Sequence, residues 1–467
     1  MKQPNIILLF ADDQRFDTIQ SLGNRRVHTP NIDSLVKQGT AFTNAHIPGS
    51  TCGAVCMPSR AMLHTGRSLY HLQEEGQEIP EDHTLMGEYL QEQGYDCYGI
   101  GKWHNGSSSY GRSFSGGDEI FFGGMWDHWN VPANHFDPSG EYSASVPYIS
   151  DAFHSRSVDL MQSDHISPGK HSTDLFTDAA VNWLSGLNRD SGDSKPFFLN
   201  VAFMAPHDPR SMPQKYQDMF NPEDIPIPEN FMAEHPFDFG IRNVRDEILA
   251  AYPRTESEVR KHIAEYYAMI AHLDDGIGKI LNAVEDIGVR ENTIVIFAGD
   301  NGLALGQHGL FGKQNAYEHS VRVPLIFSGP GIPKGVRRNQ PCYLFDIFPT
   351  LVDLLEGKRP ESVEGLSLKP VIDGDVDVKH RESLYFAYED KLRAVKKDGY
   401  KLIEYAGEES RNTQLFDLGI DPAEITDLSS TLPDVVVTLR VELFRLRDEW
   451  DDLSHPTGKR FWDFYNG

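Results

Sequence analysis

The chain has 467 residues, and 69 aspartates and glutamates outnumber 43 lysines and arginines, which gives a formal net charge of −26. This acidity excludes a nucleic-acid-binding protein, because no basic stripe is present to neutralise phosphates. The length predicts a large core with a smaller domain attached, and the four cysteines are too few for a fold built on disulfides.

Four apolar runs of strand length each end in a group of polar residues. Turn signals bound the runs and helical stretches separate them, a pattern typical of buried parallel strands. The runs are Asn5–Phe10, Tyr95–Ile100, Phe197–Phe203 and Thr293–Ala298. The polar residues that follow them are, in the same order, Asp12 and Asp13; Lys102 and His104; His207, Asp208 and Arg210; and Asp300 and Asn301. Because ligands of open α/β sheets bind beyond the carboxyl ends of the strands, we expect these groups to share one edge.

Apolar residues at three-to-four-residue spacing predict a long helix from Glu258 to Ile287, which leads into the last of these strands. Shorter helices are predicted over 176–187 and 347–355. Gly186 and Gly357 stand near their ends, where glycine suits a left-handed cap.

The composition changes after Asp375, so we place a domain boundary there, with a main domain over 1–375 and a smaller one over 376–467. The smaller domain carries short strand patterns, an Asp-Gly turn signal for a hairpin and one helical stretch. These are Ser383–Tyr388, Leu392–Val395, Asp398-Gly399, Tyr400–Tyr405, a strand around Gln414–Asp417 and a helix over Val435–Trp450. They predict a small antiparallel sheet covered by one helix.

Cys56 opens the run Cys56-Met57-Pro58-Ser59-Arg60. A helix is expected to start at Ser59 after the proline, which places Cys56 near a helix N-terminus, where backbone donors and the macrodipole favour an anion. A plainer interpretation of the cysteine alone is a buried free thiol. Zinc is not expected, because no second Cys or His pair accompanies Cys52 and Cys56.

The Cys-x-Pro-Ser-Arg run at 56–60 resembles the signature that formylglycine-generating enzymes recognise in type I sulfatases of the alkaline phosphatase superfamily. Gly-Lys-x-His at 101–104 and the His-Gly-x-x-x-Lys run from His308 to Lys313 also resemble motifs of that family. The resemblance spans nearly the whole chain. It implies an α/β, alkaline-phosphatase-like sandwich with a large, mostly parallel central sheet flanked by helices, and a small C-terminal antiparallel-sheet subdomain with one helix. Residues 1–375 would then be the catalytic domain.

Asp12, Asp13, Asp300 and Asn301 offer only oxygen ligands, which calcium prefers. Asp12-Asp13 taken alone also fits a strand-end turn or a helix cap, and Asp300-Asn301 taken alone fits a turn. Together at one sheet edge, the oxygen donors would repel one another without a cation. The resemblance implies one Ca²⁺ per chain, bound by these four residues and by the group formed from Cys56.

The resemblance also implies a reaction. A formylglycine-generating enzyme would convert Cys56 to formylglycine, whose hydrate attacks the sulfur of a sulfate ester. His207 would protonate the departing oxygen, and His104 would help the second hydroxyl to expel sulfate. Three cations complete the set, with Arg60 orienting the diol and Lys102 and Lys313 holding the sulfate group.

Asp208 and Arg210 suit sugar hydroxyls or a second anionic substituent, and His308 joins them as a candidate substrate contact. The segment 49–62 looks similar to sulfatases that act on sulfated polysaccharides, so we expect a sulfated carbohydrate, with galactose-type sugars preferred. The negative charge of the chain should repel an anionic substrate at low salt. Two explanations remain: the site is a local basic pocket, or the protein works where salt screens its surface charges.

Two rival functions remain open at this point. A phosphodiesterase or phosphonate monoester hydrolase of the same superfamily would use the same nucleophile and metal. A catalytically silent glycan-binding homologue is the second rival, against which the intact nucleophile, metal and acid set argues.

The first apolar run, Ile6 to Phe10, is too short for a signal peptide or a membrane span, and no other run reaches about 18 apolar residues. We therefore expect no membrane insertion. The compartment stays open: the chain as written is cytoplasmic, or it is periplasmic or secreted if a signal peptide has been removed.

Overall fold

The computed structural model describes residues 3–149, 158–187, 195–375, 380–408 and 411–466. The strands of the described residues are, in chain order, β1 Asn5–Ala11, β2 Gly39–Phe42, β3 Ala45–His46, β4 Gly49–Ser50, β5 Asp96–Trp103, β6 Gly116–Phe122, β7 Pro132–Ala133, β8 Ser145–Tyr148, β9 Asp159–Gln162, β10 His165–Ile166, β11 Phe197–Ala202, β12 Thr293–Gly299, β13 Arg322–Val323, β14 Leu325–Ser328, β15 Val336–Arg338, β16 Cys342–Tyr343, β17 Ser383–Tyr388, β18 Leu392–Lys397, β19 Tyr400–Ala406 and β20 Arg411–Asp417. The α-helices are α1 Pro30–Gln38, α2 Cys56–Thr65, α3 Met86–Glu92, α4 Ser107–Ser113, α5 Ser172–Ser185, α6 Gln214–Gln217, α7 Glu256–Asp286, α8 Glu318–Val321, α9 Ile347–Leu354, α10 Lys369–Asp373, α11 Pro433–Glu449 and α12 Pro456–Asn466.

Eight strands form the central sheet, in the order β15-β2-β14-β12-β1-β11-β5-β6. The four strands predicted from apolar runs are neighbours here, and all their pairings are parallel. Only β14 runs antiparallel to its neighbours. The mostly parallel sheet predicted from the sequence is therefore confirmed.

The central strand β1 is buried on both faces, because each face contacts a separate apolar core. Ile6, Leu8 and Phe10 belong to one core, together with residues of α2 and α9. Ile7 and Leu9 belong to the other, together with residues of α5 and α7. This alternation, with helices on both sides, is the three-layer arrangement that a parallel sheet requires.

The three predicted connector helices are present as α5, α7 and α9, but the predicted glycine caps are wrong. Gly186 has a right-handed φ of −78° and continues the last turn of α5. After α9 the left-handed residue is Glu356, with φ 55°, and not Gly357. Gly357 is required for a different reason, since a Cβ there would clash with the hydroxyl of Tyr89. Within the described ranges, none of the helices combines the length and apolarity needed to span a bilayer.

The small C-terminal sheet has the order β20-β19-β18-β17-β4. Asp398 and Gly399 both have positive φ, as a two-residue turn of type I′ requires, so the predicted hairpin is confirmed. Two features were not predicted. The helix α12 follows α11, and the two-residue strand β4 pairs in parallel with β17. The small sheet therefore supports the segment that leads into Cys56.

The predicted domain boundary adjoins residues 376–379, which lie outside the described residues, and it stays a prediction.

Candidate active site at the carboxyl edge of the sheet

Backbone hydrogen bonds beyond the strand ends bring the polar groups of three strands together. The amide of Asp12 donates to the carbonyl of Ala205 at 3.1 Å, and the amide of Asp300 donates to Ala11 at 3.1 Å. Asp13 follows with a left-handed φ of 62°, and its amide donates to Asp300 Oδ1 at 2.9 Å. The strand register therefore brings these carboxylates to one edge of the sheet, as the sequence predicts.

Lys102 follows a glycine with an unusual backbone conformation near the end of β5. Gly101 has a φ of 88°, and its missing Cβ leaves room for the carbonyl of Ala202. At the same level the pairing of β5 with β6 shifts by one residue, because Glu119 of β6 is an unpaired extra residue. The ammonium group of Lys102 contacts Asp12 Oδ2 and lies 3.8 Å from Cys56 Sγ.

Helix α2 begins at Cys56, three residues earlier than predicted. Pro58 is accommodated within the first turn, where the amide that proline lacks would have no helical partner. The hydroxyl of Ser59 donates to the carbonyl of Asp300 at 2.6 Å, and Arg60 Nε donates to Asp300 Oδ2 at 2.9 Å. These bonds attach the start of α2 to the end of β12.

The ring of His104 lies beside the thiol, with Nδ1 3.6 Å from Cys56 Sγ. A Cβ on Gly124 would lie 2.8 Å from His104 Cε1, so glycine lets this loop close over the ring. Burial, followed by the charges of Lys102 and Arg60, holds the pKa of His104 well below its usual value. The ring is therefore neutral at pH 7 in the free protein.

Asp13 is held by three neighbours on the opposite side. Lys313 Nζ and Asn301 Nδ2 both donate to Asp13 Oδ1 at 2.6 Å. Tyr266 of α7 donates its hydroxyl to the carbonyl of Asp13 at 2.5 Å and accepts the amide of Arg15 at 2.9 Å. Tyr266 lies within the predicted long helix, whose apolar periodicity gives no sign of this polar role.

The charges of the buried cluster balance before any metal is added. It holds three carboxylates, Asp12, Asp13 and Asp300, and three cations, Arg60, Lys102 and Lys313, all with at most 5% of their surface exposed. Burial opposes ionisation of Asp12, but Lys102 and Arg60 outweigh it, so the pKa of Asp12 is lowered. Burial and the charge of Asp12 together raise the pKa of Asp300 to about 7. The three cations therefore offset much of the predicted repulsion among the carboxylates, and the raised pKa of Asp300 reflects the part that remains.

Two oxygens of the cluster nevertheless have no hydrogen-bond partner. Both Asp12 Oδ1 and Asn301 Oδ1 are buried acceptors left unsatisfied, and an unsatisfied buried group costs about 1–3 kcal/mol. Ligand atoms of Asp12, Asp300 and Cys56 lie within 4.8 Å of one another, as do those of Asp12, Asp13 and His207. The donor set is mainly oxygen, so these residues fit a hard cation such as Ca²⁺.

His207 faces the cluster from the end of β11, with Nε2 3.6 Å from Asp13 Oδ2. Its Nδ1 lies 2.7 Å from the carbonyl of Asp208. A carbonyl can only accept, so Nδ1 carries the proton of the neutral ring and Nε2 is presented to the cluster. Burial lowers the pKa of His207 to about 4, an effect that Asp13 partly offsets.

A cavity of about 660 Å³ opens beside Asp208, the residue after His207, and is lined by Asp208, Arg210, Arg245, Trp126 and His262 among others. Asp208 forms an ion pair with Arg245, and Arg210 Nη1 lies 2.6 Å from His262 Nδ1. No sequence pattern points to Arg245, because it stands in a stretch with no strand, helix or motif pattern. The predicted substrate contacts Asp208 and Arg210 thus line a cavity that adjoins His207 along the chain.

His308 occupies a different position. Its ring stacks on Tyr317 with centroids 3.8 Å apart, and its Nε2 lies 3.2 Å from Asn230 Nδ2. Burial lowers its pKa to about 3. These contacts connect it to the region of the small sheet, and they give no support to the predicted contact with substrate.

Comparisons with known proteins agree with this site. The family model described as Sulfatase matches residues 4–358, and a model described as N-sulphoglucosamine sulphohydrolase, C-terminal, matches residues 306–449. An arylsulfatase of Clostridium perfringens is 31% identical, over 91% of this chain and 90% of its own. An N-acetylglucosamine-6-O-sulfatase of Bacteroides thetaiotaomicron is 26% identical, over 91% and 83%. A solved structure in complex with its substrate D-glucosamine-2-N,6-O-disulfate has a TM-score of 0.77 at 21% identity, covering 98% of this chain and 100% of that one.

The hydroxyl of Tyr266 gives a prediction about the support of Asp13. Tyr266→Phe should lower the free energy of unfolding by about 1–3 kcal/mol, because it leaves two buried backbone groups without a partner. Urea unfolding measures this change. The matched control is Tyr267→Phe, which removes a hydroxyl bonded to Asn24 at a half-buried position and should cost at most about 0.5 kcal/mol. Equal effects of the two substitutions would contradict the role given to Tyr266.

Proposed function

The chain belongs to the sulfatase family and is a sulfuric ester hydrolase, and we propose that it removes sulfate from a carbohydrate by means of a formylglycine at position 56 and one Ca²⁺. The observation that carries the proposal is the buried cluster around Cys56 Sγ, where two lysines, an arginine and two unpartnered oxygens meet. The proposal includes the roles predicted above for the nucleophile, the two histidines and the three cations. It also includes a formylglycine-generating enzyme as the partner that modifies Cys56.

Asp12, Asp13, Asp300 and Asn301 would hold the calcium ion, together with the group formed from Cys56. When bound, the ion supplies positive charge that stabilises the sulfate oxygens as the ester bond breaks. Since the cluster is neutral without it, Ca²⁺ gives the site a net charge of about +2, which suits an anionic ester. Asp12 and Asp13 then no longer need their lysine partners, and Lys102 and Lys313 can donate to the sulfate group.

Cys56 must be modified for this chemistry. Burial raises the pKa of its thiol more than Lys102 and Lys313 lower it, so the unmodified side chain is a protonated, weak nucleophile at neutral pH. The hydrated aldehyde supplies one hydroxyl to attack sulfur and a second to release the sulfate. Arg60 is positioned to orient that group, because it lies one helical turn after Cys56 and is fixed by Asp300.

The two histidines lie on different sides of the cluster and are assigned different tasks. His207 directly precedes Asp208, which lines the cavity in which we place the leaving group, and His104 contacts the nucleophile position. Free His207 is neutral, but a bound sulfate ester brings negative charge to its ring and raises its pKa. A protonated Nε2 would then donate its proton to the departing oxygen.

The cavity beside His207 supports a sugar as leaving group. Trp126 offers an aromatic face, while Asp208, Arg210 and Arg245 offer charged groups that bind hydroxyls or a second anion. The N-acetylglucosamine-6-O-sulfatase and the glucosamine disulfate complex are similar to this chain and act on or bind sulfated amino sugars. They favour a carbohydrate sulfate, and they give no support to the expected preference for galactose-type sugars.

The rival function, that of a phosphodiesterase or phosphonate hydrolase, differs in transferring a phosphorus-centred group in place of a sulfuryl group. The family match and the curated relatives favour sulfate esters. Hydrolysis of a sulfate monoester and of a phosphate diester that share one leaving group tests this choice directly. The sulfate monoester should be turned over faster, and the reverse order would overturn the proposal.

Calcium dependence follows from the unpartnered oxygens. Asp300→Asn should abolish Ca²⁺ binding in calorimetric titration and reduce kcat/KM by about 100-fold or more, because a ligand charge is lost. Asp463→Asn, at an exposed ion pair with Lys459, is the control and should change neither quantity. Full turnover after exhaustive chelation would rule out the calcium assignment.

Replacing His207 should affect substrates according to their leaving group. His207→Ala should reduce kcat for a sugar sulfate by about 100-fold or more, since its alkoxide needs a proton, but should reduce kcat less for an activated aryl sulfate. His104→Ala should reduce kcat by a similar factor for both, because His104 does not contact the leaving group. Steady-state kinetics with both substrates measure these ratios. Equal losses on both substrates for His207→Ala would reject its role as the acid.

Arg245 should contribute to recognition of the sugar. Arg245→Ala removes hydrogen bonds to a charged group, so kcat/KM for a sulfated sugar should fall about 10- to 100-fold while that for a small aryl sulfate changes little. Arg242→Ala is the matched control, since Arg242 pairs with Glu234 and does not line this cavity. An equal loss on both substrates would show that Arg245 acts through Asp208 and not through the sugar.

A further inference from the structure

A second group of ligand-type side chains lies away from the catalytic cluster. It consists of two histidines and three carboxylates, here called the His135 cluster: His135, His165, Asp118, Glu119 and Asp164. No motif of the sequence analysis includes these residues, and nothing in the proposed reaction uses them.

The contacts within the His135 cluster are close and reciprocal. His165 Nε2 lies 2.9 Å from Glu119 Oε2, and His165 Nδ1 contacts Asp164 Oδ1. His135 Nδ1 lies 2.7 Å from Asp118 Oδ1. The two rings are stacked, with centroids 4.4 Å apart. One ring nitrogen from each histidine and one oxygen of Asp164 lie within 4.8 Å of one another.

The backbone fixes the positions of these side chains. His165 opens β10 and pairs with Ala133 of β7, directly before Asn134 and His135. Asn134 forms a β-bridge with Ile120, which follows Asp118 and Glu119 in the edge strand β6. The amide of His135 also donates to Asp164 Oδ2 at 2.9 Å. Three chain segments thus hold the five side chains in place without a ligand.

The His135 cluster has an excess of negative charge. In the described part of the chain, the ion pairs found for Asp118, Glu119 and Asp164 all involve His135 or His165, with no lysine or arginine among the partners. Even two protonated histidines would leave one negative charge. The cluster is partly enclosed, since Glu119 is 15% exposed and His165 is 24% exposed.

We propose that the His135 cluster binds one divalent transition-metal ion of the zinc type. His135, His165 and Asp164 are the three ligands, with Glu119 or Asp118 as the fourth or as the partner that orients an imidazole. Imidazole nitrogens select zinc-like ions over calcium, so this site is distinct in chemistry from the oxygen set at Asp12. The His135 cluster does not use the paired Cys or His spacing of zinc fingers, so the absence of a second such pair beside Cys52 and Cys56 does not bear on it.

A bound ion would join the edge strand β6 to the β7–β10 ribbon. Gln162, which ends β9 three residues before His165, lines a separate cavity together with His104, so the segment that leads into the ribbon forms part of the wall near the catalytic cluster. The site is therefore structural in character: no position is reserved for substrate, and its loss should lower the melting temperature while leaving the reaction intact. The proposal does not depend on the proposed function.

Titration of the full-length protein with Zn²⁺ tests the proposal, with saturating Ca²⁺ present so that the oxygen site is filled. Wild type should bind one more equivalent of Zn²⁺ than His135→Ala/His165→Ala. Asp300→Asn should retain that equivalent, and so should the control His28→Ala, which removes an exposed histidine elsewhere. Equal Zn²⁺ stoichiometry in wild type and the double variant would overturn the proposal.

The single variant His135→Ala guards against loss of the fold, because its ring is 67% exposed and its removal costs only the stacking on His165 and the contact with Asp118. It should weaken Zn²⁺ binding about 10-fold or more and should cancel the rise in melting temperature that Zn²⁺ causes in wild type.

Co²⁺ added to wild type should give the visible absorption of a tetrahedral nitrogen and oxygen site, and this band should vanish in the single variant. An unchanged band would equally contradict the assignment.

Discussion

The carboxyl edge of the central sheet buries three carboxylates together with three cationic side chains, and the rest of the site is arranged around this balance. An ion pair deprived of one partner in such surroundings costs about 3–5 kcal/mol, so each charge constrains the element that carries it. The attachment of α2 to β12 through Arg60 and Asp300 is one result. The contact of Lys102 with Asp12, directly after the positive-φ residue Gly101 of β5, is another.

The same balance explains how a protein with a net charge of −26 can act on an anion. A neutral cluster that accepts a divalent cation becomes locally positive, and burial keeps this charge from being screened by the acidic surface. Of the two explanations offered for the acidity of the chain, a locally positive pocket follows if Ca²⁺ binds as proposed, because the cluster is neutral without it.

Much of this arrangement was predictable because the chemistry lies at strand ends. Apolar runs locate the strands, and the residues that follow them, such as Asp12 and Asp300, must meet at one edge. Other features carry no local pattern. Arg245 lies in an irregular segment, and Tyr266 points its hydroxyl at a backbone group that is 253 residues away in the chain. The two-residue strand β4 is too short to show periodicity, and the predicted start of α2 at Ser59 is too late because Pro58 lies in the first turn of the helix and not before it.

The central claim is that Cys56 acts as formylglycine and not as a thiol. Peptide mass spectrometry of active protein, produced together with a formylglycine-generating enzyme, tests it most directly. The account predicts that the peptide containing Cys56 carries an aldehyde in place of the thiol and that activity rises in proportion to this fraction. Fully active protein in which Cys56 is an unmodified thiol would contradict the account.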